Sequence, residues 1–398
     1  MRFWRSRNGI DRVRVALRRG CKLIYLDSII IVAKLRMKIS RFLGIKIEST
    51  SFSKIEIDIS ARISDNMFKQ SRPEMLKAHK PVIFVSVCTD DKQTGGYKYN
   101  GGIKELNYLV KLLRRHGYEA YMVTYDGFYE PWLVEHQPHI SIGEFQKRLK
   151  TEKNVRCLTS WIMSDAFINE CEVLYFWDME LAYSEHRQFG RIYALLKSKR
   201  LRIAGCNSMI CSWHMANWGI PCTRLLDWID EDIWHHDDTK MVYNRIGYMV
   251  ESENTAAEVC QIREFLERHG LNIDFHLVSG DERTCLEQMQ TCNLFMGLNH
   301  GKDLLWGEGF GLPMMEAMWA GCIVIAYDII GNRDFIYQGF NGFLVSRAQP
   351  LQIAQTIISI FNKKGEIARL RINSLNVLNS CHTSAARWTA VKEFLELT

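Results

Sequence analysis

Apolar runs alternate with helical patterns along most of this chain, and polar, glycine-bearing turns separate them. Pro81-Val82-Ile83-Phe84-Val85-Ser86-Val87 is continuous enough to predict a strand buried on both faces of a parallel sheet. A loop carrying Thr94-Gly95-Gly96 and Asn100-Gly101-Gly102 follows. From Ile103 to His116, Leu106, Leu109, Val110 and Leu113 recur on one helical face. Gly117 ends that helix, and Glu119 to Thr124 reads as the next strand, completing a βαβ unit. Further strands are predicted at Val173–Trp177, Arg202–Cys206, Arg245–Val250, Asp274–Val278, Asn293–Met296 and Cys322–Tyr327, with a helix over Ala256–His269. Trp234 to Lys240 is polar and carries no period, which places a domain junction near it. The chain ends in a helical pattern over Ala385–Leu395.

These patterns predict an α/β protein with two doubly wound, Rossmann-like domains facing a cleft, and a length of 398 residues agrees with two domains. The expected division is a basic amphipathic extension at 1–60, a first domain at 61–235, a second at 236–380, and a final helix at 381–398. Ligands of such sheets lie at the carboxyl ends of the strands, here in the cleft.

Composition narrows the class. Hydrophobic residues make up 47% and charged residues 24%, the balance of a globular protein. The 12 cysteines are scattered and form no Cys-x-x-Cys pair, which predicts reduced thiols in a cytoplasmic protein rather than disulfides or a zinc site. The net charge of +6 is uneven: residues 1–45 hold twelve Lys/Arg against Asp11 and Asp27, a net +10, so the remainder is −4. A basic arm on a mildly acidic body argues against nucleic acid as partner and for an anionic surface touched at one end. Leu23–Ala33 is too short to span a bilayer. Val32, Leu35, Ile39 and Phe42 share one helical face, opposite Lys34, Lys38 and Arg41. Two readings stay open: a helix peripheral on the inner face of a membrane, or one packed on the protein itself.

The candidate chemistry lies in Glu308-Gly309-Phe310-Gly311-Leu312-Pro313-Met314-Met315-Glu316. Glycines followed by a proline suit a loop entering a helix, and the free amides and dipole of a helix N-terminus favour an anion. Carboxylates flanking such a turn suit a nucleotide-sugar, with phosphate on the amides and hydroxyls on the acids. This segment resembles the Glu-x7-Glu signature of the retaining family 4 glycosyltransferases, which have the GT-B fold. The resemblance implies that Glu316 binds ribose hydroxyls and that Glu308 lies beside the donor sugar as the catalytic carboxylate. It further implies that Gly309, Phe310, Gly311 and Leu312 hold sugar hydroxyls or phosphate. Gly101 and Gly102 look like the family's acceptor-side glycine loop, and His136 or His139, both expected in a loop of the first domain, like its first-domain histidine, with His136 the candidate beside the transferred sugar. A family member also carries a basic pair after the first strand of its second domain, to neutralise the diphosphate. Here Glu251-Ser252-Glu253 stands in that place, leaving Lys302 and Arg333, or Arg245 and Arg283, as substitutes.

Asp178 and Glu180 follow a strand end and are candidates for facing the acceptor. His235-His236-Asp237-Asp238 on an irregular segment is a poor metal cluster, and no Asp-x-Asp pair stands in a supporting context, so no metal and no cofactor is expected beyond the sugar-nucleotide substrate. The resemblance implies transfer of the sugar to an acceptor, and a basic arm bound to membrane would make that acceptor a lipid-linked or cell-envelope glycan. The alternative is a catalytically degenerate relative that binds sugar-nucleotide or a partner protein, which the acids at 251 and 253 favour.

Overall fold

The structure is a computed structural model, and it describes residues 80–86, 101–160, 165–179, 189–250, 253–298, 310–363 and 365–398. The basic extension, the glycines at 94–96, Glu180, Glu251, Lys302, Glu308 and Gly309 lie outside the described residues. All described residues belong to one compact unit, Pro73–Thr398.

The first domain runs β1 (Val82–Ser86), α1 (Gly101–Arg115), β2 (Glu119–Thr124), β3 (His139–Ser141), α2 (Ile142–Thr151), β4 (Val155–Ser160), α3 (Asp165–Glu170), β5 (Leu174–Asp178), α4 (Phe189–Lys197), β6 (Leu201–Gly205), α5 (Ser208–Trp218) and β7 (Thr223–Arg224). Its strands form one sheet in the order β3-β2-β1-β4-β5-β6-β7, every pairing parallel. All five residues of β1 and of β5 are buried, as a strand covered by helices on both faces requires. Asn207 caps α5 by accepting from the Ile210 amide at 2.8 Å, and Gly219 ends it at φ +63°, a left-handed turn suited to glycine.

The second domain runs β8 (Val242–Tyr248), α6 (Glu253–Arg268), β9 (Asp274–Leu277), α7 (Glu282–Gln290), β10 (Cys292–Gly297), α8 (Leu312–Trp319), β11 (Ile323–Tyr327), a 3-10 turn at Ile330–Asp334, β12 (Gly342–Val345), α9 (Pro350–Phe361), α10 (Glu366–Cys381) and α11 (Ser384–Phe394). Its sheet order is β12-β11-β10-β8-β9, again all parallel. Both domains are therefore doubly wound. Strand order reverses between β1 and β4 in the first sheet and between β8 and β10 in the second, the switch points where such sheets open a crevice.

The final helix returns to the first domain. Trp388 stacks on His116 with ring centroids 3.7 Å apart, Arg156 donates to the Leu395 carbonyl at 3.1 Å, and Tyr118 donates to Thr398 at 2.7 Å. Among the described residues no helix is long and apolar enough to cross a membrane.

Two local expectations change. Gly101 and Gly102 are the first residues of α1 rather than a loop before it; first-turn amides have no intrahelical acceptor in any case, so glycine costs little there. His139 opens β3 instead of lying in a loop, because three residues suffice to pair with β2.

Candidate functional site

Each switch point is followed by a helix, α1 after β1 and α8 after β10. The two helices meet at their N-termini. A Cβ placed on Gly101 would lie 2.6 Å from Leu312, so the first residue of α1 rests against the first residue of α8. Gly297, the last residue of β10, lets α8 approach: a side chain there would meet Met314 at 2.6 Å. Gly311 caps α8, and a Cβ on it would fall 1.9 Å from Asn332 Oδ1, so only glycine fits. Asn332 is buried and donates from Nδ2 to the Tyr327 carbonyl at 3.0 Å, which ties the helix entrance to β11. Phe310 packs on Phe335 with centroids 5.1 Å apart.

Glu316 lies in the second turn of α8 and is 4% exposed. Its Oε1 forms an ion pair with Lys104, which comes from the first turn of α1 in the other domain. Lys104 also stands 4.0 Å from Glu282 Oε1 and 5.3 Å from the centre of the Trp234 ring. Glu282, at the start of α7, is held by protein donors on both oxygens. Tyr108 and Trp234 Nε1 (3.0 Å) donate to Oε1, and the Val134 amide donates to Oε2 at 3.0 Å. One ammonium thus serves two buried carboxylates. Burial pushes the Lys104 pKa down, against the opposing pull of Glu282 and Glu105.

The remaining candidates are spread out. His136 is exposed, donates from Nε2 to the Glu130 carbonyl at 2.9 Å and has its ring centre 4.5 Å from that of Tyr129. It belongs to the connection from β2 to β3, which reaches the second domain through Val134 and through the Trp132 carbonyl, an acceptor for the Glu282 amide at 3.1 Å. Arg333 is exposed and bidentate to Asp328 at 2.6 and 2.9 Å. Arg245 pairs with Asp274 at 2.7 Å, at the start of β9 and away from the carboxyl ends. Asp178 is a correction: it turns inward from the end of β5 to His214 Nε2 at 2.8 Å, both fully buried, so it does not face an acceptor. Glu253 begins α6 and is exposed, and Arg283 is exposed on α7. Among the described residues no group of three or more His, Cys, Asp or Glu is placed to hold a metal.

Lys104, Tyr108, Glu282 and Trp234 were not singled out by sequence. A signal existed. Lys104, Tyr108, Lys111 and Arg115 recur at helical spacing along α1, and the last two reach Asp230, Lys111 at 2.5 Å and Arg115 at 3.8 Å. That stripe marks a polar helix face buried against carboxylates.

Residues 255–376 match the family described as Glycosyl transferases group 1. The chain is 40% identical over 65 residues to the UDP-N-acetylglucosamine–peptide N-acetylglucosaminyltransferase GtfA subunit of Streptococcus agalactiae, a stretch that is 14% of this chain and 13% of that relative. Sucrose-phosphate synthase from Thermosynechococcus elongatus superposes with a TM-score of 0.57 at 13% identity, covering 80% of this chain and 98% of the other. Anabaena HepE in complex with UDP-glucose superposes with a TM-score of 0.55 at 13% identity, covering 80% and 100%. The chain has the GT-B fold, and within its second domain residues 255–376 resemble the group 1 glycosyltransferases.

Proposed function

We infer that this protein is a retaining glycosyltransferase that moves a sugar from a nucleoside-diphosphate sugar to a glycan or lipid-linked acceptor. The observation that carries the reading is Glu316: a buried carboxylate on α8, the helix after the switch point of a domain that resembles the group 1 glycosyltransferases, at the seam with the first domain. A ribose diol satisfies such a carboxylate with two hydrogen bonds, and the positive end of the α8 dipole favours phosphate at the head of that helix. The acceptor hydroxyl attacks the anomeric carbon as its bond to the diphosphate breaks, and the hydroxyl proton passes to the departing diphosphate. Retention follows either from attack on the face the diphosphate leaves or from two displacements through a covalent intermediate. Glu308, which lies outside the described residues, is assigned to the donor sugar by the motif alone. No metal or cofactor takes part in this scheme. The basic residues 1–45 support an acceptor at an anionic membrane surface on the cytoplasmic side, a setting that suits cell-envelope polysaccharide synthesis.

Calorimetric titration with UDP, GDP and ADP and their sugar conjugates, with chelator present, tests the reading. One nucleotide is expected to bind, and Glu316→Gln to weaken it about 10- to 100-fold, the loss of hydrogen bonds to a charged acceptor. Retention is then read from the anomeric signal of the product by NMR. A second reading rests on the acid Glu253 where a basic residue is expected: a relative that binds without turnover. A folded protein that binds no nucleotide, with Glu316→Gln indistinguishable from wild type, would favour it.

A further inference from the structure

In sequence the second domain carries Glu251 and Glu253 where the resemblance implies a basic pair, yet a cation from the first domain stands beside Glu316. Lys104 is the fourth residue of α1, and α1 begins against the head of α8, where the phosphates of a nucleotide would rest. Its side chain is 8% exposed, and its ammonium is paired with the carboxylate expected to hold ribose. The two carboxylates beside it are unequal. Glu282 has three protein donors and stays satisfied without the lysine. Among the described residues Glu316 Oε1 has no partner other than the Lys104 ammonium. Among the described residues no carbonyl fixes the ammonium, and its other contacts are long: the Trp234 ring centre is 5.3 Å away and Glu282 is 4.0 Å away. Lysine is a point charge on a flexible four-carbon stem, so it exchanges partners without rearranging the backbone.

We propose that Lys104 is a two-position binding residue, paired with Glu316 in the free protein and with the nucleotide diphosphate once ribose hydroxyls occupy that carboxylate. This rests on the reading of Glu316 as the ribose site. It has two consequences. The counter-charge for the leaving group comes from the first domain, so the seam must be closed when the diphosphate departs. The free protein also keeps its nucleotide site occupied by its own cation, so a nucleoside alone must compete with Lys104, whereas a nucleoside diphosphate gives that cation a new partner.

The test compares each diphosphate with its nucleoside: UDP with uridine, GDP with guanosine and ADP with adenosine. Diphosphates are titrated directly and nucleosides measured by displacement of the bound diphosphate. In Lys104→Met the diphosphate is expected to bind about 10- to 100-fold more weakly, while the nucleoside binds as in wild type or more tightly. Lys104→Arg is expected to keep most of the diphosphate affinity. Lys104→Gln, one atom shorter and neutral but still a donor, repeats the measurement if the methionine variant does not fold. An equal loss for diphosphate and nucleoside would show a role in packing and overturn the proposal. So would unchanged diphosphate binding in Lys104→Met. Either result alongside a weakened Glu316→Gln leaves the ribose assignment standing, whereas a wild-type protein that binds no nucleotide removes both.

Discussion

Consecutive residues of α1 head two buried charge clusters, and the clusters are built differently. Lys104 points to the second domain, to Glu316 and Glu282. Glu105 points to the final helix and pairs with Arg387 at 3.6 Å, beside Asp227. In the Glu105 cluster the cation is a planar guanidinium 4.2 Å from the Trp177 ring centre, and it also donates to the Leu226 carbonyl. The carboxylate itself accepts from the Trp228 amide at 3.3 Å. Each contact fixes an orientation. In the Lys104 cluster the ammonium has its carboxylates and one distant ring, Trp234 at 5.3 Å, with no carbonyl among the described residues to fix it. A cation pinned by a close ring, a carbonyl and a carboxylate is a clasp, and one held mainly by charge is exchangeable. The first ties the chain end to the first domain, and the second sits where the two switch points meet.

The largest expected effect comes from breaking the clasp. Arg387→Met leaves Glu105 and Asp227 buried without their cation, a change that costs about 3–5 kcal/mol when one partner of a buried pair is removed. The urea midpoint should fall accordingly, and the segment after His382 should become the first site of proteolysis. A loss below about 1 kcal/mol would mean that the His116–Trp388 stack and the edge-to-face contact of Phe394 with Tyr175, centroids 5.7 Å apart, carry the docking instead.

The clasp also has a pH signature. Burial pushes the Asp227 carboxyl up to about 7, with Arg387 opposing. An unfolded Asp titrates near 4. Between about pH 4 and 7 the folded chain therefore keeps a proton that the unfolded chain has lost. Stability should fall as pH rises through that window and level off above it. Asp227→Asn removes the group, so the wild-type-minus-variant difference in melting temperature should decline from pH 4 to 7. Glu105, also raised by burial, remains in the variant, and the slope is flattened rather than abolished. A difference independent of pH would show that Asp227 is ionised throughout.

Much of this arrangement was legible before any coordinates, and the rest was hidden for physical reasons. Val82–Ser86, Leu174–Asp178 and Ile323–Tyr327 announce themselves because strands buried on both faces are unbroken apolar runs. β3 is three residues long and β4 reads Val-Arg-Cys-Leu-Thr-Ser, with its polar ends at the sheet margins, so neither shows a period. The head of α8 was visible because Gly-Phe-Gly-Leu-Pro is local grammar for a helix entrance. The partners of Glu316 were not, since Lys104 and Glu282 are joined to it only by tertiary closure. The inward turn of Asp178 has the same cause: its partner His214 lies 36 residues on, in α5.

The smallest effect separates the fixed member of the Lys104 cluster from the exchangeable one. Tyr108 donates to Glu282 from the next turn of α1, and burial together with the Glu282 charge raises its phenol far above the ordinary range, so it is a neutral donor at every relevant pH. Tyr108→Phe removes one of three donors and leaves the Trp234 and Val134 bonds in place. The cost should be about 1 kcal/mol by urea denaturation, the worth of one buried hydrogen bond. Glu282 would then draw Lys104 toward itself and away from Glu316, which frees the ribose carboxylate. Nucleoside affinity should therefore rise slightly while diphosphate affinity holds or drops. If both fall together, Glu282 serves to position the whole seam, and the two carboxylates are coupled more tightly than their separate hydrogen-bond partners imply.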